Sequence, residues 1–132
     1  MLKKIFLAAL VCFSIPVFAQ KSWEVVDRSD FADSAIMGSF FENGKVIFWE
    51  RMQYHSPQTA GVVYWSSISE HAGDCVKNSR KIVALSLYSD RVAEKLLGKV
   101  VVDQLPMERT RPGTVGENAL SWACLYASGF HQ

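Results

Sequence analysis

Apolar and polar side chains alternate through most of the chain beyond residue 22, a pattern that predicts strands rather than helices. Ser22 to Arg28, with Trp23, Val25 and Val26, reads as a first strand. Asp30 and Asp33 mark a turn, and Ile36 to Phe41 forms a second strand. Asn43-Gly44 then fits a two-residue hairpin turn, because both residues tolerate positive φ. Val46 to Tyr54 is the returning strand. Val46, Phe48, Met52 and Tyr54 share one of its faces, and Glu50 is the exception. Ile47 and Trp49 make the other face apolar at one end, which implies that both sides of the sheet are partly covered there. Ser56 to Gly61 reads as a loop, with Pro57 ending the strand.

Val62 to Ile68 is a further strand, with Tyr64 and Trp65 on opposite faces, and His71 to Asp74 reads as a turn or the start of a loop into Cys75. Lys81 to Tyr88 is the clearest strand, with Val83, Leu85 and Leu87 on one side and Ile82, Ala84 and Tyr88 on the other. Val92 to Leu97 has a helix-prone composition but is too short for a stable helix. Lys99 to Gln104 is the last strand, closed by Leu105-Pro106. The period then changes. Thr114 and Glu117 have capping-box spacing, with Thr114 accepting from the Glu117 amide and Glu117 reaching back to the Thr114 amide. They open a helix over 115–127 that Gly129 can end. Leu120, Ala123, Cys124 and Ala127 recur at helical spacing, so Cys124 points inward.

The first nineteen residues stand apart from this pattern. Lys3 and Lys4 precede an apolar run from Ile5 to Val17, and Val17-Phe18-Ala19 suits signal peptidase. We expect cleavage after Ala19 and a single mature domain over 20–132. The run is shorter than the roughly 20 residues a spanning helix needs and is broken by Pro16, so no membrane span is expected after cleavage. Cys12 leaves with the leader. Export puts Cys75 and Cys124 in an oxidising compartment, the periplasm or the outer cell surface, where they are expected to pair and to pin the helix to the sheet.

Charge excludes some partners. Loss of Lys3 and Lys4 from fourteen basic residues leaves twelve against thirteen acidic ones, a net charge near −1. No basic stripe suited to nucleic acid remains. His55, His71 and His131 lack partners at metal-ligand spacing, so no metal or cofactor is expected. Ser66, Ser67 and Ser69 lie in no nucleophile elbow and read as solvent-facing strand serines. These observations argue against an enzyme. Trp49, Tyr64 and Trp65, with the basic pair Arg109 and Arg111 beside Pro112, are the candidate partner-binding residues.

In order along the chain, Trp23, Val46-Ile47-Phe48-Trp49, Asp74-Cys75, the segment Arg80 to Tyr88, and Pro112-Gly113-Thr114 before a helix bearing Cys124 resemble the bacterial surface-adhesin E family. The resemblance covers most of the mature chain. It implies an α+β fold: a curved antiparallel sheet of about six strands, with the C-terminal helix on its concave face under the disulfide. It also implies an exported binding protein whose partner is a host matrix or envelope protein. The founding member is implicated in binding host matrix proteins and haem, while most relatives are small exported proteins of unknown role. The stretch Val92 to Leu97 and the Arg109-Thr110-Arg111 lead depart from the pattern, and both bear on a binding surface. The rival reading is a soluble periplasmic factor that inhibits or chaperones another envelope protein.

Overall fold

The computed structural model describes residues 22–102 and 104–129; the expected leader and His131 lie outside the described residues. Six antiparallel strands follow one another across the sheet in chain order: β1 (Glu24–Arg28), β2 (Ala32–Glu42), β3 (Lys45–Thr59), β4 (Val63–Asp74), β5 (Ser79–Tyr88) and β6 (Leu96–Val101). A two-residue strand, β7 (Glu108–Arg109), pairs with the start of β5. One helix, α1 (Val115–Ala127), completes the fold. The expected α+β class, with a C-terminal helix and a Cys75–Cys124 disulfide, is therefore the observed one.

The Asn43-Gly44 turn forms as its residues demand, with φ of 52° and 79°. Other boundaries move. Asp33 pairs with Gln53 inside β2 instead of marking a turn. Pro57 does not end β3: the pairing of β3 with β4 lapses between Gln53 and Gln58, and an irregularity of this kind accommodates a residue that cannot donate to the ladder. His71 to Asp74 is not a turn but the end of β4, paired with both β3 and β5. A shift opposite Glu70 and His71 brings Ile82 opposite His71 and Leu85 opposite Ser69, so Ile82 lines the same cavity as Leu85 and Leu87, contrary to the simple alternation. The last long strand begins at Leu96 rather than Lys99.

The core is small and lies between α1 and one half of the sheet. Ile36, Val46 and Phe48 from the sheet meet Ala119, Leu120 and Ala123 from the helix, all essentially without exposure. Burial of each large side chain contributes roughly 1.5–3 kcal/mol, so a core of this size gains much from a covalent staple. Gly73 lets the helix come close, because a Cβ there would collide with Leu120 Cδ1 and lie 3.1 Å from Val46 Cγ1. The helix packs chiefly on β2, with less contact to β1 and β3. Its start is held by Thr114 Oγ1, which accepts from the Glu117 amide at 3.2 Å. The Glu117 carboxylate reaches back one residue further than expected, to the Gly113 amide at 2.9 Å, and also accepts from Asn78 Nδ2. In its first turn, Asn118 donates to the Val26 carbonyl of β1.

The disulfide joins the β4–β5 turn to the C-terminal half of this helix across 49 residues. Cys124→Ala should lower the unfolding free energy by about 4 kcal/mol in the chain-entropy account, measured by urea denaturation. Equal midpoints for variant and parent under oxidising conditions would show that the helix needs no tether. Gly73→Ala should destabilise by about 1–3 kcal/mol through overpacking. Gly98→Ala is the control, since a Cβ there meets nothing within 4 Å.

Candidate functional site

Glu50, the one charged residue among the apolar positions of its β3 face, is buried at the centre of the sheet, with its side chain 5% exposed. Strand register explains its neighbours. Ser69 pairs with Glu50 in the ladder, His71 pairs with Phe48, and Arg80 reaches across from β5. Ser34 Oγ of β2 donates to Glu50 Oε2 at 2.7 Å. Arg80 Nη1 donates to Oε1 at 3.1 Å, and His71 Nε2 lies 3.4 Å from the same oxygen. Gly116 makes room for this arginine beneath the first turn of α1, because a Cβ at that position would sit 2.8 Å from Arg80 Nη2. Side chains from three other strands therefore converge on one carboxylate, and the helix start packs over one of them, Arg80.

Burial pushes the Glu50 carboxyl upward, but the His71 hydrogen bond, the Arg80 and His71 charges and the Ser34 hydroxyl outweigh it and hold its pKa at about 2. Burial is the main influence on His71 and pushes its pKa below the usual imidazole value, so the ring is neutral at neutral pH. An ionised Glu50 keeps the ring proton on Nε2, which also lies 2.8 Å from Ser69 Oγ. Nδ1 is buried without a hydrogen-bond partner among the described residues, and the ring stacks on Phe48 at 5.0 Å.

Ser69, His71 and Glu50 do not form a nucleophilic triad. A triad places acid and nucleophile on opposite ring nitrogens, whereas here both face Nε2. The expectation of solvent-facing serines is overturned, and His71 does not sit in a turn: Ser66, Ser67, Ser69 and His71 are all buried. The extension of β4 to Asp74 carries His71 into the sheet, and Ser66 is held by the Asp90 carbonyl at 2.5 Å.

Because α1 covers only one half of its face, the other half stays open. Two cavities lie there, of about 400 and 340 Å³, and they share His71, Arg80, Ile82 and Gly116. Arg109, Arg111, Leu105 and Pro106 wall the first. Met52, Tyr54, Tyr64, Leu85 and Leu87 line the second, where Tyr54 meets Tyr64 edge-on at 5.6 Å. Among the described residues no group of three His, Cys, Asp or Glu could hold a metal, and no helix is long and apolar enough to cross a membrane.

The family model described as Surface-adhesin protein E matches residues 23–125. The chain belongs to this family. No curated protein and no solved structure matches it. The family span takes in the whole sheet, the Glu50 cluster, both cavities and both cysteines. It makes the chain a surface adhesin-like protein, which implies an exported or surface location.

The structure divides the five expected partner-binding residues. Tyr64, Arg109 and Arg111 border the open groove. Trp49 does not join them: it packs over Gly38 and beside Phe40, whose ring lies 6.2 Å away, next in chain to the inward-facing Phe48 and so on the opposite face. Trp65 is half-buried and borders neither cavity. Sequence reading missed Arg80 and His71 as groove residues. The interruption of an apolar face by Glu50 was the available signal, since a carboxylate there requires cationic or hydrogen-bonding partners from neighbouring strands.

The Glu50 cluster makes stability depend on acid in a defined way. The folded pKa of Glu50 is depressed, so its contribution is complete above about 4.5 and is lost as pH falls towards about 2. The full shift corresponds to roughly 3 kcal/mol. His71 is a base with a lowered folded pKa, so it too opposes folding as pH falls below its ordinary value of 6.5. Urea midpoints should therefore fall from about pH 6.5 downward, most steeply below 4.5. Glu50→Gln should be less stable at pH 7 by about 3–5 kcal/mol, because it leaves Arg80 without its charge partner, and should flatten the acid limb. An unchanged acid limb in that variant would assign the titration to other groups.

Proposed function

We propose that the protein is an exported, non-enzymatic binding protein that contacts a protein partner at the cell envelope or surface, with β6 as the contact strand. The observation that carries this reading is the state of β6. All six residues are exposed, and Leu96, Leu97, Val100 and Val101 keep 58, 44, 56 and 61% of their surface open to solvent. Its outer edge pairs with no strand among the described residues. Edge strands are ordinarily guarded by several charges, proline or a bulge, and β6 carries Lys99 as its one charge. An apolar open edge of this kind suits addition of an extended segment from another protein, whose main chain bonds the edge while its side chains cover the leucines and valines. Family membership supports the same class of function.

Mature protein should capture a partner saturably from envelope or host-matrix fractions. Leu97→Lys with Val101→Lys alters exposed positions only and should weaken capture at least tenfold, about 1.4 kcal/mol. Absence of saturable binding to every fraction would overturn the binding reading, and equal capture by the variant would remove β6 from it. Protease treatment of intact against osmotically shocked cells then gives the location. Loss from intact cells places the protein on the surface, and protection until shock places it in the periplasm.

A further inference from the structure

The open half of the helix-bearing face has two chemically different ends. At the β7 end, Arg109 and Arg111 border the larger cavity and form no ion pair among the described residues. Arg80 lines the cavity further in, with its charge matched by Glu50, and Glu108 is the only acidic residue lining that cavity among the described residues. The start of α1 at Thr114 and Gly116 adds the positive end of a thirteen-residue helix to the same rim. The Glu50 charge does not oppose an anion there, because it is buried and matched by Arg80. The second cavity adjoins the first at these shared residues, and it is lined by Met52, Leu85 and Leu87 beside the Tyr54–Tyr64 pair. Tyr54 Oη and Ser67 Oγ hydrogen-bond each other at 3.2 Å, and the half-buried tyrosine hydroxyl keeps further hydrogen-bonding capacity on this floor for a main chain to meet.

From this polarity the geometry points to a groove that receives the C-terminal end of a partner polypeptide: Arg109 and Arg111 hold the terminal carboxylate, and the last apolar side chains lie on the Met52–Tyr64–Leu87 floor. This rests on the reading above that the partner is a protein, and it adds a second contact distinct from the β6 edge. Charge complementarity selects the carboxylate, since guanidinium groups suit a planar anion. The mixed floor favours peptide over a plain acyl chain, which could not use the remaining hydrogen-bonding capacity of the Tyr54 hydroxyl.

The test uses the mature, disulfide-bonded chain and two fluorescent probes of sequence Gly-Ala-Val-Leu, one with a free C-terminal carboxylate and one amidated. Fluorescence anisotropy should show the free acid binding about tenfold more tightly than the amide, as a charge-assisted contact requires. Arg109→Gln with Arg111→Gln changes exposed side chains and should bring the free acid down to the amide's affinity while leaving the melting temperature unchanged. Tyr64→Ala should weaken both probes. Equal binding of acid and amide, no effect of the double arginine variant, or stronger binding of decanoate than of the peptide would each overturn the proposal. Partner capture that survives these arginine changes but fails on β6 change would also overturn the groove as a partner site, while leaving the edge-strand reading standing.

Discussion

A single buried carboxylate governs how the sheet is put together. Glu50 sits where alternation calls for an apolar side chain, and its charge is tolerable only because Ser34, His71 and Arg80 arrive from three neighbouring strands. Each partner depends on a particular register. A one-residue slip of β4 or β5 would move His71 or Arg80 to the other face and leave the carboxylate unpaired in the interior. The cluster thus selects one alignment of four strands more sharply than the modest apolar core could. It also reaches the helix, since Arg80 passes beneath Gly116 at the start of α1.

The helix and the cluster divide their face of the sheet between them. On one side, Leu120 descends on Gly73 and the core of Ile36, Val46 and Phe48 closes. Asn78 connects the β4–β5 turn to the Glu117 cap and receives the Thr110 amide ahead of the helix. With the disulfide, these bonds fix the angle at which the helix leaves the sheet. On the other side that same angle leaves Met52, Tyr54, Leu85 and Leu87 lining an open groove. The device that stabilises a small domain therefore also creates its recessed surface, and the basic β7 segment forms the mouth of that recess.

Parts of this arrangement could be read directly from residue types. Asn43-Gly44 dictates a hairpin through its tolerance of positive φ, and Thr114 with Glu117 dictates where the helix starts. Two cysteines in a chain expected to be exported imply a bridge, and the bridge forms. All of these are local or compositional signals. The turn expected at His71 to Asp74 failed because polar and small residues suit a turn when considered alone, whereas pairing on both sides keeps them in β4. Pro57 misled for a related reason: it ends a regular ladder but not a strand whose pairing has lapsed around it.

What the sequence determined by itself was the set of elements that short-range chemistry enforces: the alternating strands, the tight turn, the capped helix and the covalent link. Which side chains meet was decided only in the tertiary structure. Ladder shifts opposite Glu70 and within β3 change which face later residues occupy, and such shifts arise from competition between strands rather than from any local pattern. The regular ladder of β3 with an extended β4 sets Ser69 and His71 beside Glu50, and the shift opposite Glu70 brings Ile82 beside Leu85. The shifts also separate Trp49 from Tyr64 and the two arginines, because alternation assigns a face only until the first bulge resets it.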